Sequence, residues 1–88
     1  MEQLFKRSGD IVSAPINETL LLLNVDSGLY HELNPIAVRI WDMLEQSMAL
    51  ETIVEQLLLE FDVSPETCRL ETSEFLEQLR VRGLLTTE

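Results

Sequence analysis

The sequence predicts an α+β fold, in which a small three-stranded antiparallel sheet is followed by a three-helix bundle. Three observations lead to this prediction. The turn sequence Asp26-Ser27-Gly28 separates two short apolar segments, as in a three-residue hairpin connection. From Asn34 onward the apolar residues recur at helical spacing instead. Ser64 and Pro65 then restart the chain as the beginning of another helix.

The first third of the chain is predicted to form the strands. Ile11–Ala14 is the first short β-compatible segment, and Pro15–Glu18 is expected to be a loop. Leu20–Val25 and Leu29–Leu33 are the two strands of the hairpin. Leucine alone does not distinguish strand from helix in Leu20–Val25, so the turn sequence decides the assignment.

A chain of 88 residues allows one domain with a modest core. We expect a single domain over residues 11–88, preceded by an N-terminal segment over residues 1–10. Within that segment, Leu4–Lys6 is either an extra strand or part of a loose tail, and it competes with Ile11–Ala14 for the role of first strand. At the other end, Leu84 and Leu85 are expected to fold back into the core, whereas Thr86–Glu88 should fray.

Amphipathic periodicity predicts the first two helices. Asn34 is suited to N-cap the first, with Pro35 at its first position. The buried face of that helix should carry Ala37, Ile40, Trp41 and Leu44. The second helix is predicted over about Leu50–Glu60, and Ala49 before it offers no capping side chain.

The third helix is predicted from the Ser64-Pro65 start to a C-terminal cap at Gly83. At 100° per residue, its core face comprises Cys68, Thr72, Phe75, Leu76 and Leu79. The two flanks differ in charge. One flank consists of Thr67, Glu71, Glu74 and Gln78, and the other of Arg69, Ser73 and Arg80. A cationic ligand beside this helix is expected to bind at the first flank, which is acidic.

The composition of the chain argues against several classes of function. The chain has 16 acidic and 6 basic residues, a net charge of −10, and between Asp42 and Glu77 it has ten acidic residues and one base. Such a surface repels a nucleic-acid backbone. The one cysteine, Cys68, can form neither a disulfide nor a cysteine metal site within one chain. No apolar run is long enough to cross a bilayer, so we expect no membrane partner. Together with the acidic surface and the single cysteine, this predicts a cytoplasmic protein that does not bind nucleic acid.

Catalytic chemistry has little support in the sequence. There is one histidine, His31, and no glycine-rich phosphate loop or zinc-ligand spacing. His31 falls on a strand face with Leu29 and Leu33, where a histidine is more often structural than a ligand or proton carrier. The chain is therefore expected to be a binding protein without cofactor, metal or enzymatic activity.

The last strand of the predicted meander, Leu29–Leu33, leaves one row of backbone groups unpaired. An extended peptide could pair with that edge by β-augmentation, or a second copy of the chain could form a homodimer there. Glu32 could equally blunt the edge against aggregation. The residues alone leave these alternatives open.

The order and spacing of several short segments resemble the PqqD family, and more narrowly the stand-alone PqqD-like proteins of lasso-peptide gene clusters. The segments that carry the resemblance are Leu21-Leu22-Leu23, Gly28-Leu29-Tyr30, Leu33-Asn34, Trp41 with Leu44, Phe75-Leu76-Glu77-Gln78-Leu79 and Gly83-Leu84-Leu85. The similarity runs from about Ile11 to Leu85. It departs from the family pattern at Ala49, where a capping threonine is common, and the segment before Ile11 has no clear counterpart.

The resemblance implies a winged-helix-like recognition element for ribosomally made precursor peptides. In that family the leader peptide adds a strand to the third strand, in the groove beside the third helix. Carried over, this nominates two sets of residues: Leu29, Tyr30, His31, Glu32 and Leu33 for strand pairing, and Glu71, Glu74, Phe75 and Gln78 for the helical wall. Leaders of the lasso type carry a tyrosine and, three residues later, a proline. Leu33 and Phe75 are the expected lining of their pockets, and the acidic flank would suit lysine-rich leaders.

Three functions are considered, two of which follow from the resemblance and one from the winged-helix-like parts of the predicted fold. The first is a leader-binding adaptor that delivers the precursor to a leader peptidase and an ATP-dependent cyclase. The second is the role of PqqD itself, a peptide chaperone for a radical SAM enzyme. The third is a winged-helix DNA-binding regulator, against which the acidic third helix argues strongly.

Overall fold

Three helices and two antiparallel three-stranded sheets make up residues 3–88, the part of the chain that this computed structural model describes. The strands are β1 (Leu4–Arg7), β2 (Ile11–Ile16), β3 (Thr19–Asn24), β4 (Tyr30–Leu33), β5 (Met48–Ala49) and β6 (Leu85–Thr87). The helices are α1 (Pro35–Met43), α2 (Leu50–Glu60) and α3 (Pro65–Val81). The α+β class and the three helices are as predicted, but the single sheet is not.

The sheet β2-β3-β4 contains the predicted hairpin. Gly28 has a φ of +74°, and its N–H donates to the carbonyl of Asn24 at 2.9 Å. β3 is shifted by one residue from the prediction and β4 begins one residue later, since Val25 and Leu29 belong to the connection between them. β2 continues to Ile16, into the first half of the predicted loop, and places Pro15 opposite Leu20. β2 can accommodate this proline because it is an edge strand.

The second sheet has the order β5-β1-β6 and corrects two predictions. Leu4–Lys6 belongs to an additional strand, which exists beside Ile11–Ala14 and does not compete with it. The C-terminus does not fray, because β6 pairs with β1 and the N–H of Glu88 donates to the carbonyl of Leu4 at 2.8 Å. These strands are short and distant in sequence, so no local periodicity marks them. The first two residues of the predicted 1–10 segment lie outside the described residues.

The helices begin at the positions that the sequence predicts, but only the first has a side-chain N-cap bond. The Oδ1 atom of Asn34 accepts the N–H of Ala37 at 2.9 Å, whereas Ala49 and Ser64 make no side-chain capping bond. At the end of α3, Gly83 has a φ of +75° and the N–H of Leu84 donates to the carbonyl of Leu79 at 2.8 Å. This Schellman-type ending turns the chain back toward the core.

One hydrophobic core joins the helices to the inner face of the β2-β3-β4 sheet. Its fully buried members are Leu22, Leu33, Leu44, Ile53, Leu57, Leu76, Leu79 and Leu84. Trp41 is also buried, and the Arg7 guanidinium lies 4.6 Å from the centre of its ring. Nε of Arg7 donates to the Trp41 carbonyl at 3.0 Å, which fixes β1 against α1. None of the helices within residues 3–88 has the length and hydropathy to span a bilayer.

Candidate functional site

β4 is an edge strand with one side unpaired within residues 3–88. The N–H of Asn24 donates to the carbonyl of Leu29 at 2.9 Å, so Leu29, His31 and Leu33 direct their backbone groups toward β3. By the alternation of an antiparallel ladder, Tyr30 and Glu32 direct their N–H and C=O groups outward. An added strand would pair with these two residues.

One stripe of α3 lies along this open edge. Its members follow the spacing i, i+4, i+7 and i+11, which places them on one helix face: Glu71, Phe75, Gln78 and Arg82. The rings of His31 and Phe75 are 5.8 Å apart, and Nη1 of Arg82 donates to the Tyr30 carbonyl at 3.2 Å. We call the surface between the open edge of β4 and this stripe the edge groove.

α3 runs antiparallel to β4, which gives the edge groove two different ends. Arg82 lies beside Tyr30, at the start of β4. Glu71 lies near Asn34, just after β4 ends. The helical wall is therefore acidic at one end and basic at the other.

An apolar cavity of about 190 Å³ adjoins the acidic end of the edge groove. Its apolar lining comes from α1, α2, α3 and the segment between the last two, and comprises Ile36, Ala37, Ile40, Leu57, Phe61, Val63, Cys68 and Phe75. Asn34 and Glu71 stand among its polar lining. Phe75 thus belongs both to the cavity and to the wall of the edge groove.

His31 forms part of the floor between β4 and α3. It pairs with buried Leu22 across the sheet, and its ring points toward the helices and Phe75. Partial burial, and secondly the positive charge of Arg82, lower the pKa of His31 below its ordinary value. Within residues 3–88, no cluster of three or more His, Cys, Asp or Glu side chains could hold a metal ion.

The nominated residues occupy different positions in this geometry. Tyr30 is 63% exposed, and Leu29 and Glu32 are exposed at the edge. On α3, Glu71, Glu74 and Gln78 are exposed and Phe75 is half-buried. The expectation that Leu33 lines a pocket is wrong, because its side chain is completely buried in the core. Its backbone lies on β4, but its side chain cannot line an open pocket.

Arg82 and most of the cavity residues, other than Glu71 and Phe75, were not expected from the sequence. Arg82 was overlooked as a wall residue because it is the C-cap, one residue beyond the last helical position. Its spacing of seven residues from Phe75 was the available signal. The cavity is lined by three helices and the α2–α3 connection, and no local pattern indicates that convergence.

Comparisons with known proteins agree with this architecture. The family model of Coenzyme PQQ synthesis protein D (PqqD) matches residues 19–85. The solved structure of TbiB1 in complex with the TbiA(beta) leader peptide is 34% identical, with a TM-score of 0.80 over 91% of this chain and 93% of that chain. Lasso peptide synthetase B1 complexed with the leader peptide shares the fold, at 22% identity and a TM-score of 0.80, over 93% of this chain and 96% of that chain. No match was found among curated protein sequences.

Proposed function

The chain belongs to the PqqD family, and we propose that it binds the leader segment of a ribosomally synthesised precursor peptide as an added strand in the edge groove. The observation that carries this proposal is the open edge of β4, which lies against α3 and beside an apolar cavity. TbiB1, the relative at 34% identity, is solved in complex with a leader peptide.

Backbone pairing would supply part of the affinity without selecting a sequence. The outward N–H and C=O groups of Tyr30 and Glu32 offer about four bonds, each worth roughly 0.5–1.5 kcal/mol net. Ordering a flexible peptide offsets much of this gain. A leader therefore needs an apolar anchor in addition to its backbone.

The cavity beside Phe75 is the proposed place for that anchor. A cavity of about 190 Å³ suits one large apolar side chain, such as the leader tyrosine that the family resemblance implies. Burial of one such side chain contributes about 1.5–3 kcal/mol. Leu33 is withdrawn as a pocket residue because it belongs to the core.

Charge on the helical wall would favour a basic leader near the cavity. Glu71 and Glu74 are exposed on α3, so attraction to lysine side chains would be screened and would mainly speed association. The same acidic surface disfavours a DNA-binding role for α3.

The proposed role is that of a non-catalytic adaptor, which presents the bound precursor to a leader peptidase and a cyclase of the lasso type. The match to the PqqD family model favours a second candidate, a peptide chaperone for a radical SAM enzyme. Both roles use the edge groove and differ in the partner enzyme. Copurification with each class of enzyme, in the presence and absence of leader, distinguishes them.

The first experiment is fluorescence polarisation with a labelled leader peptide taken from the small open reading frame nearest to this gene, with duplex DNA as the control. We expect saturable leader binding that falls only slightly with salt, and no DNA binding. Binding of DNA without leader would refute the proposal. Sedimentation at the same concentrations shows whether a homodimer through β4 competes with the peptide.

A further inference from the structure

Arg82 differs from every other basic residue that the structure describes. Lys6, Arg39, Arg69 and Arg80 each lie within 4.0 Å of a carboxylate, and Arg7 stacks on Trp41. Arg82 makes no such ion pair within residues 3–88, although the chain has an excess of ten negative charges. Its guanidinium donates a hydrogen bond to the Tyr30 carbonyl, at 3.2 Å.

The guanidinium of Arg82 is therefore held at the edge groove with most of its donors unused. A guanidinium has five N–H donors in a planar fork, and the Tyr30 carbonyl takes one. The backbone of Arg82 is fixed as well, since its N–H donates to the Gln78 carbonyl at 3.1 Å at the end of α3. This fork matches the geometry of a carboxylate, which it can bind through two hydrogen bonds.

We propose that Arg82 binds an acidic side chain of the leader peptide and so sets the direction and register of the added strand. This inference rests on the proposed function and specifies the chemistry of its ligand. Glu71 repels an acidic residue at the cavity end of the edge groove, whereas Arg82 attracts one at the start of β4. A leader that enters in the reverse direction would place its charges against like charges.

The spacing between the two recognition points follows from strand geometry. Tyr30 and Asn34 are four positions apart, at opposite ends of the edge groove, and an extended strand covers about 13 Å over that length. The acidic residue of the leader should therefore lie about four residues from the apolar residue that enters the cavity.

Arg82 could act differently, as a latch that occupies the Tyr30 carbonyl and must be displaced by the peptide. A carbonyl oxygen has two lone pairs, so it can accept a peptide N–H and the Arg82 donor together. The two roles predict opposite effects of removing the guanidinium. Loss of Arg82 weakens binding if it holds a carboxylate, and strengthens binding if it is a latch.

The test is a double-mutant cycle between Arg82→Gln and the same labelled leader peptide, with each Asp or Glu of the peptide changed in turn to Asn or Gln. We expect Arg82→Gln to weaken binding about threefold to tenfold. One acidic position of the peptide should give the same loss, with no further loss in the combination. Arg80→Gln makes the same change in net charge away from the edge groove and should leave affinity unchanged. Arg82→Lys, which keeps the charge without the fork, should restore part of the affinity.

The outcomes separate this inference from the proposed function. If the unaltered protein does not bind the leader, the proposed function fails and the inference fails with it. If it binds, but Arg82→Gln leaves affinity unchanged or raises it, or no acidic position couples to Arg82, only the inference is overturned. Circular dichroism of each variant checks that it is folded.

Discussion

The side-chain amide of Asn24 donates a 2.8 Å hydrogen bond to the carbonyl of Gly83, which ties the β3–β4 turn to the end of α3. The Oδ1 atom of the same residue accepts the N–H groups of Asp26 and Ser27, so Asn24 also shapes the turn. One side chain thus holds together the two walls of the edge groove.

This close approach makes Gly83 sensitive to substitution. Gly83→Ala would place a Cβ 2.5 Å from Nδ2 of Asn24, at a φ of +75°. We expect a loss of roughly 1–2 kcal/mol from backbone strain alone, and more from displacement of Asn24. Urea denaturation measures the free energy of unfolding. Gly28→Ala should cost less, because it has positive φ but an open surrounding, and Gly9→Ala should cost least. Equal effects at Gly83 and Gly28 would contradict the role of Asn24.

The N-caps of α1 and α3 offer a matched pair. Asn34→Ala removes the capping bond to Ala37 and should lower the free energy of unfolding by about 1 kcal/mol. Ser64→Ala removes a side chain that makes no capping bond and should change it much less. Thermal and urea unfolding of the two variants check this order, and a larger loss at Ser64 would refute it.

Phe75 is the wall residue that joins the edge groove to the cavity. Phe75→Ala should weaken leader binding by roughly 1–3 kcal/mol, because it removes both the contact with His31 and part of the cavity lining. Fluorescence polarisation measures the change, and a melting curve verifies folding. Leu70→Ala, at a 61% exposed position of α3, is the control and should bind as the unaltered protein does. Unchanged affinity in a folded Phe75→Ala variant would exclude this anchor site.

The acidic wall should affect the rate of association with a basic leader. The double variant Glu71→Lys with Glu74→Lys is expected to slow association by about threefold to tenfold at low salt. Stopped-flow fluorescence with the labelled leader measures this rate. Glu45→Lys with Glu55→Lys changes net charge equally at exposed positions outside the edge groove. If both pairs slow association equally, net charge is responsible, not the wall.

His31 should contribute to the pH dependence of stability. Its pKa in the folded protein is lowered, first by burial and then by Arg82, from an ordinary value of 6.5. The unfolded chain therefore takes up a proton more readily, and the free energy of unfolding should fall as pH decreases below about 6.5. Above about pH 6.5, His31 is neutral in both the folded and the unfolded chain, so it causes no further change in the free energy of unfolding.

Urea denaturation of the unaltered protein and of His31→Gln, at pH 7.5 and 5.5, tests this prediction. Glu60 and Glu77 have pKa values lowered from 4.5, so their stabilisation is lost only as pH falls below about 4.5, outside this range. The decrease in stability should be smaller for His31→Gln. Equal decreases would show that His31 does not contribute.

Features with a local cause were predictable. The hairpin turn requires a glycine at positive φ, and Gly28 provides it. Asn34 and Gly83 mark the helix ends by the bonds they make, and α2 has the predicted bounds. Features with a distant cause were not. β1 pairs with β6 across nearly the whole length of the chain, and two- or three-residue strands have no period to detect.

The candidate site likewise has features that the sequence predicts and features that it does not. The open edge of β4 and the acidic flank of α3 could be expected from the sequence, with the family resemblance nominating them together. The hairpin, the helices and their boundaries could be predicted because they depend on neighbouring residues, and the excess of negative charge follows from composition. The burial of Leu33, the contact of Phe75 with His31 and the bond from Arg82 to Tyr30 are visible only in the folded structure. Such contacts depend on how α3 packs against β4, and the residues that make them are 44 and 52 positions apart in the sequence, so no local pattern predicts them.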